Sequence, residues 1–207
     1  NGFDPAPYEF DQERRRRVRS DLGLGDRLII GHVGAFLPAK NHEFLLETFA
    51  ELARHRPDSF LVLAGQGPGE AKARSQAVSL GVADRVAFLG KRNDISDLLS
   101  AMDLFVFPSS YEGSPLSVAE ARASGLPAVV SEAVPTTMAG QTTLRLPLSA
   151  GPRLWAESAL DGLAHQDRRP LPSGLPSVSD HCRRVSALYV QVTVAGRTTG
   201  DRTGRRS

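Results

Sequence analysis

The chain has 207 residues, enough for one substantial core with trailing segments but short for two domains of ordinary size. Its 25 basic against 23 acidic side chains leave a net charge of +2, so nucleic acid is not an expected partner. One cysteine, Cys182, excludes an internal disulfide framework and a cysteine metal cluster, and a reducing, cytoplasmic compartment is the expectation.

In chain order, Asp11 to Asp21 is a charged stretch containing Arg14 to Arg17, with Val18 and Leu22 as its apolar contacts, and predicts a solvated surface helix. Residues 1–27 are accordingly read as a linker and entry helix. Leu28 to Val33 is a continuous apolar run closed by Gly34, and Phe60 to Ala64 closes in the same way at Gly65. Arg85 to Leu89, Leu104 to Phe107 and Ala128 to Val130 repeat the pattern, giving five predicted strands in this stretch. Between them lie segments of helical period: Glu43 to Arg54 with Phe44, Leu45, Phe49 and Leu52 on one face, Glu70 to Leu80 ending at Gly81, and Ile95 to Ala101. Strand and helix in alternation predict an α/β class, a Rossmann-like parallel sheet with helices on both faces. Right-handed crossovers then put the strand C-termini on one edge, where open α/β sheets bind ligands.

Further on, Leu146-Pro147-Leu148 is placed as a last strand and Leu154 to Leu163 as a helix. Arg168 to Pro176, with three prolines and a glycine, reads as a loop before a final helical turn near Val185 to Val190. The domain is thus expected over residues 28–190. Residues 191–207 are expected to be a disordered tail, because the stretch from Gly196 carries almost nothing apolar to offset the entropy of ordering.

The stretch from Phe107 to Pro127 is the richest in chemistry. Ser114-Pro115 predicts a helix start, with Ser114 as the cap and Pro115 in the first turn, and a helix running to about Ser124. A helix start at the ligand edge offers unpaired N–H groups and a partial positive charge to phosphate oxygens. Gly113 allows a ligand to come close to the backbone. Glu112 before this helix and Glu120 within it are separated by seven residues, and carboxylates accept hydrogen bonds from vicinal hydroxyls such as those of a ribose or a hexose. Taken alone, two glutamates are as readily surface charges.

The run Tyr111-Glu112-Gly113-Ser114-Pro115-Leu116-Ser117-Val118-Ala119-Glu120, followed by Ala123-Ser124-Gly125-Leu126-Pro127, resembles the E-x7-E signature of retaining family 4 glycosyltransferases. The resemblance implies the C-terminal, donor-binding half of a GT-B fold. It places Glu112 against the donor sugar as the catalytic-site carboxylate and Glu120 on the ribose hydroxyls. The backbone of Gly113, Ser114, Pro115, Leu116 and Ser117 would meet the sugar and diphosphate. Gly34 to His42 is similar to that family's phosphate-binding loop, which makes Lys40 the diphosphate cation, while Ala35 stands where an arginine is usual. Leu63 to Pro68 resembles its Gly-x-Gly-Pro turn. Val86 to Arg92 resembles the strand and loop bordering the nucleotide base, where Arg92 either stacks on the base or is solvated.

The implied activity is transfer from a nucleoside-diphosphate sugar, of UDP type, to a saccharide or lipid-linked acceptor in surface polysaccharide synthesis. No metal or cofactor is expected, since Lys40 and helix N–H groups can neutralise the diphosphate. The opening Asn1-Gly2-Phe3-Asp4 resembles the interdomain linker of these enzymes, so the partner expected is an N-terminal acceptor-binding domain, with the acceptor at the inner face of a membrane. A sugar-nucleotide-binding module without activity and a GT-B epimerase or phosphorylase are the rival readings. His32 is expected to be a packed histidine, His42 to open a helix, and His181 with Cys182 to form no nucleophile pair.

Overall fold

A computed structural model describes residues 3–139 and 143–165. Ala6–Pro172 forms one compact unit. Residues 3–5 lie outside that unit and carry neither helix nor strand. The loop and helical turn placed between Arg168 and Val190, the tail, His181 and Cys182 lie outside the described residues.

The unit is a six-stranded, all-parallel sheet. After a 3-10 turn at Ala6–Tyr8, the elements run α1 Gln12–Asp21, β1 Leu28–Val33, α2 His42–His55, β2 Ser59–Ala64, α3 Glu70–Ser79 and β3 Val86–Phe88. They continue with α4 Ile95–Ala101, β4 Leu104–Phe107, α5 Leu116–Ala123, β5 Ala128–Ser131, α6 Thr136–Ala139, β6 Thr143–Leu146 and α7 Gly151–His165. The spatial order β3-β2-β1-β4-β5-β6 is that of a doubly wound nucleotide-binding sheet. Its topological switch point lies between β1 and β4, where Ile30 pairs with Leu104 and Gly31 with Phe105.

The strands are apolar throughout because both faces are covered, and the two-residue period sorts their side chains into two cores. Ile30, Leu61, Leu63, Leu104, Val106 and Val129 face one cluster with Leu45, Phe49, Ala73 and the fully buried Trp155. Ile29, Val62, Phe105, Phe107, Ala128 and Val130 face the other, with Val18, Leu98, Leu99, Val118 and Ala121. The helix predicted over Leu154 to Leu163 is α7, and Trp155 Nε1 donates to the Pro147 carbonyl at 3.0 Å. Gly81 follows α3 with φ 69°, the left-handed residue expected at a helix end.

Three expectations need correction. The sixth strand is Thr143–Leu146, upstream of the predicted Leu146-Pro147-Leu148, because Pro147 has no N–H for the ladder and the chain turns at Leu148–Ala150. The α1 helix is not merely solvated, for Arg19 is only 7% exposed. Its Nη2 lies 2.6 Å from Asp103 Oδ2, and Arg15 Nη2 lies 2.6 Å from Asp103 Oδ1. Both arginines also donate to the carbonyls that end α4: Arg15 Nη1 to Ala101 and Met102, and Arg19 Nε to Ala101 at 2.9 Å. A helix C-terminus leaves carbonyls without intrahelical partners, so two cations settle there. Finally, the predicted helix cap is displaced by one residue. Pro115 is the N-cap, α5 begins at Leu116, and no side chain caps that end, because Ser114 lies outside the helix and is exposed.

Candidate nucleotide-binding crevice

The loop after β1 begins at Gly34, whose N–H donates to the Ala64 carbonyl of the neighbouring strand at 3.0 Å. A side chain at Gly34 would meet His32 Nε2 at 2.9 Å and the Lys40 stem at an ordinary 3.5 Å, so the glycine makes room for the buried His32 ring. Gly65 is still more constrained. It has φ 152°, and a Cβ there would lie 1.9 Å from the Gly34 carbonyl oxygen. The glycine turn after β2 thus lets the second loop press against the first. A 3-10 turn at Pro38–Lys40 and Asn41, left-handed at φ 53°, then carry the chain into α2. The Asn41 side chain accepts from the Phe44 N–H, which is the local reason the helix starts there, at His42 as expected.

The loop after β4 meets this one across the switch point. The Ala39 carbonyl accepts from the Ser110 N–H at 2.8 Å, and the Ser109 hydroxyl lies 2.7 Å from it. The Ser131 hydroxyl at the end of β5 donates to the Ser109 carbonyl. Three loops are therefore laced together, and the result is a pairing of two residues 72 apart in the chain: Lys40 Nζ donates to Glu112 Oε1 at 2.6 Å. The Glu112 side chain is 8% exposed and that of Lys40 21%. The same carboxylate oxygen lies 2.5 Å from Ser109 Oγ, and the Lys40 ammonium sits 4.8 Å from the centre of the Phe107 ring. A cation, a carboxylate and a hydroxyl thus converge at the C-terminal edge, where such sheets take their ligands.

α5 leaves the same loop with its uncapped N-terminus at this edge. Glu120 stands four residues after Leu116 and so shares its face of the helix. Burial pushes the Glu120 carboxyl above its ordinary range, and a hydrogen bond from the Tyr8 hydroxyl to Oε1, at 2.9 Å, pulls it partly back. Around the bend, Gly113, Ser114 and Leu116 are exposed, Ser117 is half-buried and Pro115 is buried. A Cβ at Gly113 would meet nothing within 4 Å, so the glycine is not demanded by packing within the chain.

Arg92 is held differently. Its Nε and Nη2 form a fork on the Asp94 carboxylate at 2.8 and 2.6 Å, and Asp94 holds the guanidinium pKa above its ordinary value. This is an exposed ion pair with a residue two positions on, and it leaves both alternatives for Arg92, stacking on a base or solvation, as they stood. Ala35 carries no charge into the β1 loop, and Lys40 is the cation that this loop brings to Glu112.

His32 and His42 form the floor beneath Lys40. The His32 ring is wholly buried, stacks on Phe107 with centroids 5.3 Å apart, and hydrogen-bonds through Nδ1 to the Val106 carbonyl at 2.9 Å. Burial pushes its pKa down to about 3, and that of His42 to about 4 with the Lys40 charge adding to the effect. Both rings are therefore neutral at ordinary pH and serve as packing groups, as expected of His32. Among the described residues, no group of three or more His, Cys, Asp or Glu side chains could hold a metal ion. Nor is any helix among them long and apolar enough to cross a membrane.

Sequence reasoning did not find Tyr8, Ser109 or Ser131. Tyr8 and Ser131 are ordinary residues locally and meet partners far along the chain, and Ser109 joins Glu112, three residues on, to the distant Ala39 carbonyl.

Residues 14–138 match the family model of glycosyl transferases group 1. EpsF of Bacillus subtilis (strain 168), which carries a glycosyltransferase designation, is 39% identical over 159 residues, spanning 75% of this chain and 40% of that protein. The UDP-Gal:alpha-D-GlcNAc-diphosphoundecaprenol alpha-1,3-galactosyltransferase of Escherichia coli is 38% identical over 136 residues, 63% of this chain and 35% of the relative. The chain therefore spans less than half the length of these relatives. Among solved structures, Anabaena HepE in complex with UDP and glucose superposes with a TM-score of 0.72 at 20% identity, over 97% of this chain and 55% of that one. Sucrose-phosphate synthase of Thermosynechococcus elongatus does so with 0.68 at 22%, over 94% and 52%. The fold is that of a GT-B glycosyltransferase domain, and with the family model matched over more than half its length, this chain belongs to the group 1 glycosyl transferases.

Proposed function

We propose that this chain binds a nucleoside-diphosphate sugar, of UDP type, as the donor-binding domain of a retaining, family 4-type glycosyltransferase that builds a surface polysaccharide. The observation that carries this reading is the Lys40–Glu112 pair across the switch point, at the edge where the uncapped start of α5 also lies. In this reading Lys40 and the first N–H groups of α5 take the diphosphate, as cations and helix N-termini favour anions. Glu120 accepts from the ribose hydroxyls, and Glu112 accepts from a hydroxyl of the donor sugar. Gly34, Gly113, Ser114, Pro115 and Ser117 shape the walls. Arg92 borders the base, where its fork on Asp94 leaves the guanidinium face as the contact surface.

As the bond between the anomeric carbon and the diphosphate oxygen breaks, negative charge grows on that oxygen. Lys40 and the helix start are placed to stabilise it. The acceptor hydroxyl forms the new bond to the same carbon and gives its proton to the departing diphosphate. We assign the acceptor site to the part of these proteins that lies outside Ala6–Pro172. Names of relatives that transfer sugar from UDP-Gal to a diphosphoundecaprenol-linked acceptor, or bind UDP, support the donor and the acceptor class.

The test is calorimetry with UDP and UDP-glucose on two variants. Glu120→Ala weakens UDP by about 1.5–3 kcal/mol, the worth of a charged hydrogen bond. Glu112→Ala leaves UDP binding intact, since Lys40 is relieved of its partner, and removes the extra affinity that the sugar confers. Equal losses on UDP alone for both variants would overturn the division of roles.

A further inference from the structure

Glu120 is reached from a part of the chain that none of the site motifs includes. Tyr8 ends the 3-10 turn Ala6–Tyr8, ahead of α1, and 112 residues separate it from Glu120. Its half-buried ring packs against the core cluster that holds Val18, Leu98, Val118 and Ala121. The hydroxyl at the end of that ring donates to Glu120 Oε1 at 2.9 Å. Tyrosine suits this task because its ring has few torsions to freeze, while glutamate has among the most rotamer freedom to lose. Burial and the nearby carboxylate push the Tyr8 phenol up to about 12, so it remains a proton donor at every pH at which the protein would work.

We infer that Tyr8 is a positioning residue for the donor ribose. By holding one carboxylate oxygen of Glu120 from outside α5, it fixes the side chain in the orientation that accepts from a vicinal diol. A carboxylate oxygen has lone pairs for more than one donor, so the Tyr8 bond and a ribose hydroxyl can share the group. The segment before α1 thereby becomes part of the nucleotide site, although it carries none of the site's charges. This inference rests on the assignment of Glu120 to the ribose.

The experiment uses the intact chain, Tyr8→Phe, and two probes, UDP and 2′,3′-dideoxy-UDP, titrated by calorimetry. Wild type is measured first. Tighter binding of UDP than of the dideoxy nucleotide supports the ribose assignment, and equal binding overturns that assignment itself, before any variant is made. Given that discrimination, Tyr8→Phe keeps the ring in the core and loses only the hydroxyl. UDP affinity then falls about three- to tenfold, the effect of one lost hydrogen bond. Affinity for the dideoxy nucleotide stays within about twofold, because the group that Tyr8 orients has nothing to accept from. A merely structural role would weaken both nucleotides alike. That result, or UDP binding that is unchanged or tightened in Tyr8→Phe, overturns the inference while leaving the Glu120 assignment standing. Thermal midpoints of wild type and variant, measured alongside, register any loss of folding, and Tyr8→Trp, which keeps an aromatic ring but cannot place a hydroxyl there, must reproduce the ribose-selective loss.

Discussion

Replacing Lys40 by alanine removes the cation from a pair in which Glu112 is the more buried partner, 8% exposed against 21%. The carboxylate is left with the Ser109 hydroxyl, which has one proton to give and lies equally within reach of the Ala39 carbonyl. Breaking a fully buried pair costs about 3–5 kcal/mol, and a charged hydrogen bond is worth about 1.5–3 kcal/mol. Because a fifth of the lysine meets solvent, the lower range applies, and the lost contact with the Phe107 ring adds a fraction of a kcal/mol. We expect Lys40→Ala to cost about 2–3 kcal/mol, a fall in the thermal midpoint of roughly 5–10 °C for a domain of this size. Glu112→Ala should cost less, since the freed ammonium can turn to water. The assay is thermal and urea unfolding of both single variants and the double variant. The double variant should be no worse than Lys40→Ala alone, because the stranded carboxylate is gone, giving a coupling energy at least as large as the loss measured for Glu112→Ala alone. If the two single losses simply add, the pair does not hold the loops together. UDP at a fixed concentration near the wild-type dissociation constant should raise the midpoint of wild type more than that of Lys40→Ala.

Asp103 anchors α1 by accepting from Arg15, Arg19 and the Ile29 N–H, so Asp103→Ala should cost about 1.5–3 kcal/mol, the worth of a charged hydrogen bond, because its side chain is a fifth exposed and Arg19 keeps its bonds to the Ala101, Gly25 and Arg27 carbonyls; a loss under about 0.5 kcal/mol in urea unfolding would contradict this account. For the histidines the sign is fixed by burial. Their folded pKa values, about 3 for His32 and about 4 for His42, lie below the unfolded value near 6.5, so only the unfolded chain takes up these protons as pH falls below that value. Stability is fully present above about pH 6.5 and should decline by up to about 1.4 kcal/mol per pH unit for each histidine, down to the folded pKa. His42→Gln should flatten the decline between about pH 6 and 4, and an unchanged slope would show that other groups carry it.

The α/β class, the strands from Leu28 to Val130 and most helix positions were legible because they depend on signals within a dozen residues: continuous apolar runs, helical spacing, and glycines where the chain turns. The stretch from Glu112 to Glu120 and the loop at Lys40 were legible as motifs for the same reason. Misplaced elements were those where a single residue overrides the pattern. Pro147 ends the last strand for want of an N–H, and Pro115 takes the N-cap position ahead of α5 from Ser114. Arg14 to Arg17 suggested a solvated helix because a run of charge reveals nothing about partners, and only the folded chain brings Asp103 and the end of α4 beneath Arg15 and Arg19.

What the tertiary structure alone decided is who faces whom. The crossovers set β1 beside β4, and this brings Lys40 to Glu112 and Ser109 to the Ala39 carbonyl, while the packing of the turn before α1 on the same face as α5 brings Tyr8 to Glu120. None of these pairings leaves a local trace, since hydrogen bonds and ion pairs depend on distances of about 3 Å that no spacing along the chain specifies. Composition, period and motif determined which residues are the candidates for the chemistry proposed. The sheet order determined which of them act together, because it places the ends of strands distant in sequence side by side at one edge.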